Sequence, residues 1–229
     1  MIQFLYIERL ILKLSLILLV SVTMLFVPAS YAIETLYGIP SDIDPSAKYF
    51  FFLHNYYVEK NGPNGDCKYY DILDVFSQKG FVVISELRAG KIVPCEYAEK
   101  IVKQIGILLD AGVNPKNITV AGHSKGGVIA LCVASQLINP NIGFIVMAGC
   151  GIKPLAETYP DFTQLKGNFL SIYASSDNVA ESCQKAFANA ITGVTNSEIQ
   201  VQSDSGHRLF FQPKDIWLKP VMGWLEQRK

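Results

Sequence analysis

The feature that most constrains this chain is an alternation. Short, continuously apolar runs of strand length are separated by segments with helical spacing. The runs at 49–53, 81–84, 117–121, 142–147, 168–173 and 198–201 read as strands. Between and after them, 70–78, 94–110, 126–137, 182–190 and 215–227 read as helices. Pro94 suits a first helical turn and Gly112 a stop. The segment 55–66, rich in Asn, Gly and Pro, reads as a loop. Strands that are apolar along their whole length are buried on both faces, so the expected class is α/β: a mostly parallel central sheet flanked by helices on both faces. No repeat or long linker divides residues 33–229, which read as one domain.

Ligands of such sheets bind beyond the carboxyl ends of the strands. The segment after the third predicted strand reads Gly122-His123-Ser124-Lys125-Gly126-Gly127. Gly122-x-Ser124-x-Gly126 between a strand and a helix is the pattern of a nucleophile elbow. A serine on so tight a turn has crowded neighbours two residues to either side, and glycine removes that crowding. The turn presents the Ser124 hydroxyl, and the Lys125 amide at the start of the helix faces a developing oxyanion.

A serine hydroxyl needs a base to become a nucleophile. Three histidines are available: His54, His123 and His207. His123 adjoins the serine on a strand end, where a structural role is the expectation, and His54 ends the first strand. His207 lies in the loop 203–207 after the last strand, within reach of Ser124. Asp177, just beyond the fifth strand, is the acid expected to orient the imidazole; Asp204 is the alternative. Asp177 also suits a cap for the segment that follows it. Glu86 and Arg88, after the second strand, read either as cleft residues or as a structural ion pair. Lys125 reads as a solvated cation or an attractor of anionic substrates. Tyr56 and Tyr57 read as an apolar wall or as cover for the sheet edge.

The order Ser124, Asp177, His207, with the elbow in strand–turn–helix context, resembles the α/β-hydrolase superfamily. The chain looks most like small bacterial carboxylesterases of the dienelactone-hydrolase-like kind, from about Tyr49 to the C-terminus. The resemblance implies a second oxyanion donor after the first strand, where family members often read His-Gly-x. Here the matching residues are His54-Asn55-Tyr56, with Asn in place of Gly, so the Tyr56 amide is the expected donor beside that of Lys125. Family lid domains enter at about the position of residues 150–168. That connection is short here, which implies a site without a lid domain.

The N-terminus carries a different signal. Arg9 and Lys13 precede an apolar stretch that ends with Pro28, and small residues Ser30 and Ala32 mark a cleavage site after Ala32. That is the order of a secretory signal peptide over residues 1–32. The alternative is a retained membrane anchor, since the uncharged stretch 14–33 is long enough to span. Export permits disulfides. Of the five cysteines, Cys67 with Cys95 and Cys150 with Cys183 are the expected pairs, because all four fall beyond strand ends, leaving Cys132 free in a buried helix. No cysteine spacing fits a zinc site.

Composition excludes other classes. Half the residues are hydrophobic, which argues against a disordered chain. Twenty basic and twenty acidic residues balance to zero net charge, which argues against a nucleic-acid partner. The expectation is therefore an exported, periplasmic or secreted, monomeric serine hydrolase. It would cleave small or exposed carboxylic esters through an acyl-enzyme, with no cofactor or metal. A peptidase, thioesterase or acyltransferase, or a non-catalytic binder with the same fold, are the alternatives.

Overall fold

A computed structural model describes residues 38–88 and 90–228. The secretory-leader reading of residues 1–32 lies outside the described residues. Six strands, β1 (Lys48–Leu53), β2 (Phe81–Ile84), β3 (Ile118–His123), β4 (Gly143–Met147), β5 (Gly167–Ala174) and β6 (Val194–Val201), form one sheet in the order β2-β1-β3-β4-β5-β6. Every pairing is parallel. The helices are α1 (Tyr56–Asn61), α2 (Tyr69–Gln78), α3 (Pro94–Asp110), α4 (Lys125–Leu137), α5 (Gln184–Ala188) and α6 (Asp215–Gln227). The fold class read from the sequence is the one observed.

The sheet is held by the residues that made its strands legible. From Tyr49 to Leu53 and along all of β3 and β4, every residue is buried. Phe50 stacks on Phe76 of α2 at 4.0 Å between ring centroids, and Phe144 stacks on Phe169 across β4 and β5 at 5.1 Å. Such pairs add to the burial of their own area. Helix α4 is buried from Lys125 to Ala134 and packs on β3, β4 and α3.

The departures from expectation are local and have physical causes. Strand β6 begins at Val194 rather than 198, because an edge strand accepts the polar Thr195, Asn196 and Ser197, which are exposed. Within the expected loop 55–66, residues Tyr56–Asn61 form α1. Asn55 is its cap: the side chain accepts from the Val58 amide at 3.0 Å.

The expected Cys67–Cys95 pair does not form, and Cys132 is not free. Cys95 is bonded to Cys132, with Cα atoms 5.0 Å apart, and Cys67 is a buried free thiol. The cause is the packing of α3 on α4, which brings the first turn of one helix beside the middle of the other. The expected Cys150–Cys183 bond is present. Two disulfides suit an oxidising compartment. Among the described residues no helix is long and apolar enough to cross a membrane.

Candidate active site

The sheet order reverses direction at β1: the chain moves outward to β2, then returns past β1 to β3. The register sets Leu53 opposite Gly122, so the end of β1 lies directly beside the elbow. This is the crevice position at which open parallel sheets bind ligands.

Ser124 has φ 56° and ψ −119°, a left-handed backbone that non-glycine residues rarely adopt. The glycines make that turn possible. A Cβ on Gly122 would lie 2.1 Å from the Gly126 carbonyl oxygen, and one on Gly126 would lie 1.9 Å from that of Leu53. Gly127 is also crowded, though less so: a Cβ there would lie 2.8 Å from the Gly149 Cα. The Ser124 amide donates to the Met147 carbonyl at 2.9 Å, which fixes the turn to the end of β4.

Ser124 Oγ lies 2.7 Å from His207 Nε2. On its other side the ring meets Asp177, with Nδ1 3.0 Å from Oδ2 and 3.2 Å from Oδ1. With Nδ1–H donated to the carboxylate, Nε2 is left to accept the serine proton. Asp177 Oδ1 also accepts from the Val179 and Ala180 amides, at 2.9 and 3.0 Å. Burial pushes the Asp177 carboxyl up, but the hydrogen bonds from His207 and from those two amides outweigh it and hold its pKa below the ordinary value. The alternative acid, Asp204, is exposed.

His123 and His54 lie out of solvent behind this row. His123 Nδ1 accepts from Asn55 Nδ2 at 2.9 Å, and Nε2–H donates to the His207 carbonyl at 3.0 Å. His54 Nε2 accepts from the Arg88 amide at 2.9 Å, while Nδ1–H donates to the Asn55 carbonyl at 2.9 Å. Burial lowers the pKa of both to about 3, assisted by the charge of Arg88 at His54 and of His207 at His123. Both rings are neutral in ordinary buffers and serve as structural connectors.

A cavity of about 680 Å³ opens over the serine. Tyr56, Lys125, Ser124 and His207 line it, and Tyr57, Phe211, Ile152, Leu155 and Val179 form its apolar walls. Two of those walls were not legible beforehand: Phe211, from the turn after His207, and the connection after β4. That connection folds as a 3-10 turn over Lys153–Thr158 rather than as an inserted domain. Among the described residues no cluster of three or more His, Cys, Asp or Glu side chains is arranged to hold a metal ion.

No protein-family model matches the chain, and no curated protein matches it in sequence. Solved structures do. A predicted CIB-like hydrolase from Thermoplasma acidophilum superposes with a TM-score of 0.53 at 16% identity, covering 81% of this chain and 89% of the other. An acetyl xylan esterase from Paenibacillus sp. R4 gives 0.52 at 13% identity, over 83% and 77% of the two chains. A carboxylesterase structure from Nitrososphaera gargenis gives 0.51 at 17% identity, over 82% and 93%. The chain has the α/β-hydrolase fold.

Within that α/β-hydrolase fold, the structure brings together Ser124, His207, Asp177, Tyr56 and Lys125, the residues singled out in the sequence. It corrects the side chain of Lys125. That ammonium is not solvated: it is almost fully buried and pairs with Glu59 at 2.8 Å. Arg88 and Glu86 do not pair with each other or line the cavity. Arg88 is buried against His54 and Glu59, and Glu86 pairs with Lys100 and takes a hydrogen bond from Tyr97. Glu59 was missed as a site residue, and Asn55 was read only as the residue in place of the family's Gly, not as the α1 cap and partner of His123. A charged residue in a polar segment carries no sequence signal of burial, while an Asn before a short apolar turn does signal a cap.

Proposed function

We propose that this chain is an exported serine hydrolase that cleaves carboxylic esters through an acyl-enzyme. The observation that carries the reading is the unbroken row Asp177–His207–Ser124, at 3.0 and 2.7 Å, opening into an apolar cavity. His207 takes the Ser124 proton as Oγ attacks the ester carbonyl, and Asp177 stabilises the imidazolium that results. The Tyr56 and Lys125 amides receive the charge that develops on the carbonyl oxygen. The imidazolium then protonates the leaving alcohol. Water, deprotonated by His207, releases the acid and restores the serine.

The superposed structures include esterases and an acylaminoacyl peptidase, so they support a hydrolase of this fold, and the choice of an ester is left to the substrate comparison below. The apolar walls support an uncharged acyl or alcohol group, and the short connection after β4 suits small or exposed esters. The paired disulfides support the export reading, as does the leader-like sequence 1–32.

A fluorophosphonate probe tests the proposal. Wild type is expected to be labelled at Ser124 and Ser124→Ala is not. Equal labelling of the two, or an unlabelled wild type, refutes it. Turnover of p-nitrophenyl esters above that of peptides and thioesters is expected, and the reverse ranking would reassign the reaction.

A further inference from the structure

Behind the elbow lies a carboxylate held between two cations, which acyl transfer itself does not use. Glu59 sits on α1, three residues after Tyr56, and its side chain is 4% exposed. Its Oε1 accepts from Lys125 Nζ at 2.8 Å, and its Oε2 faces Arg88 Nε at 3.9 Å. The ammonium also lies over the Tyr56 ring, 5.8 Å from the centroid. One carboxylate thereby joins the segments that leave β1, β2 and β3, which are neighbours in the sheet.

We propose that Glu59 is a positioning residue: by holding Lys125 and Arg88 it fixes α1 against α4 and so sets the spacing between the Tyr56 and Lys125 amides. The inference rests on the acyl-transfer reading of the site. Three arguments support it. A buried ion pair adds little net stability, because desolvation offsets the Coulombic gain, so stability alone is a poor reason for one here. Lys125 carries both the ion pair and one of the two amides, and Tyr56 shares a helical turn with Glu59, so the link acts on the donors with little slack. Helix α1 is a single short element, and its amide has to be held against the elbow from outside the helix. Displacement of catalytic groups by about 1 Å is enough to lower rates by about a hundredfold.

Charge and position make opposite predictions for Glu59→Gln. A carboxylate near a developing oxyanion opposes it, so its removal would raise the rate if charge alone mattered. If Glu59 positions the donors, the rate falls.

The test uses the full chain with p-nitrophenyl butyrate as substrate and an aryl trifluoromethyl ketone as the tetrahedral-adduct inhibitor. Glu59→Gln is expected to lower kcat at least about tenfold with KM changed by less than about twofold. Inhibitor affinity should weaken by the same factor as kcat/KM. Lys125→Gln should give the same pattern, and it serves alone if Glu59→Gln does not fold. The double variant should lose no more than the worse single one. A folded Glu59→Gln with unchanged or raised kcat, or with its loss confined to KM, overturns the inference alone. A wild type that neither turns over the ester nor takes up a fluorophosphonate at Ser124 overturns the acyl-transfer reading, and this inference with it.

Discussion

His123 donates its Nε2 proton to the main-chain carbonyl of His207, 3.0 Å away. Through its other nitrogen the same ring receives Asn55. One buried imidazole thus ties the loop of His207 to the segment that carries Tyr56. His123→Phe keeps the volume but strands both partners. It should lower kcat by about tenfold or more and cost roughly 1–3 kcal/mol for each unpaired group. Steady-state kinetics and urea unfolding check this; wild-type values in both would refute it.

The two neutral histidines set an acid limit on stability. The pKa values of His54 and His123 are about 3 in the fold, below the ordinary value of 6.5 for each. The unfolded chain therefore binds more protons between those values, and stability rises with pH across that window. The contribution is complete above about pH 6.5 and is lost as pH falls toward 3. At pH 5 the loss should be on the order of 1–2 kcal/mol per histidine. Equal urea midpoints at pH 7 and pH 5 would count against it.

Asp177→Asn should reduce kcat by on the order of a thousandfold or more, whereas Asp204→Asn should change it little. Asn at 177 retains an oxygen for the Val179 and Ala180 amides, so the turn survives and the loss reports on His207. The opposite ranking of the two variants in p-nitrophenyl ester turnover would transfer the acid role to Asp204.

Glycine to alanine in a helix usually stabilises by up to about 1 kcal/mol. At Gly126 the reverse is expected. The new methyl would meet the Leu53 carbonyl oxygen at 1.9 Å and the His54 carbonyl oxygen at 2.8 Å, and that backbone leaves it no room. Gly126→Ala should cost about 2 kcal/mol or more and should displace Ser124. A variant as stable as wild type in urea would show that the elbow relaxes freely.

Peptide mapping without reductant should give Cys95 linked to Cys132 and Cys150 linked to Cys183. Cys67 should resist alkylation until the chain unfolds. Each bond closes a segment of moderate length, and its removal should cost about 2–4 kcal/mol. Cys67 found in any disulfide would contradict the assignment.

Much of this was legible in the chain because it depends on local pattern. Continuous apolar runs marked the strands, and Gly122 and Gly126 marked the elbow because no other residue fits there. Asp177 and His207 were found by chain order, since the sheet brings successive strand ends to one edge. What escaped notice depends on packing between distant segments. Cys95 meets Cys132 only because α3 lies against α4. Glu59 and Lys125 look like solvated charges until α1 folds down beside α4. Helix α1 itself is hidden among turn-forming residues and declares itself only through the Asn55 cap.

The groups gathered around Ser124 come from the ends of β1, β3, β5 and β6, and none of them can act before its neighbours arrive. On the proposed acyl-transfer reading, ester turnover is then a clock for completion of the sheet. During refolding, helical signal and aromatic burial should recover first, and activity last, when the His207 loop settles onto the elbow. On the proposed export reading, a chain still threading through a membrane would carry every one of these residues and hydrolyse nothing.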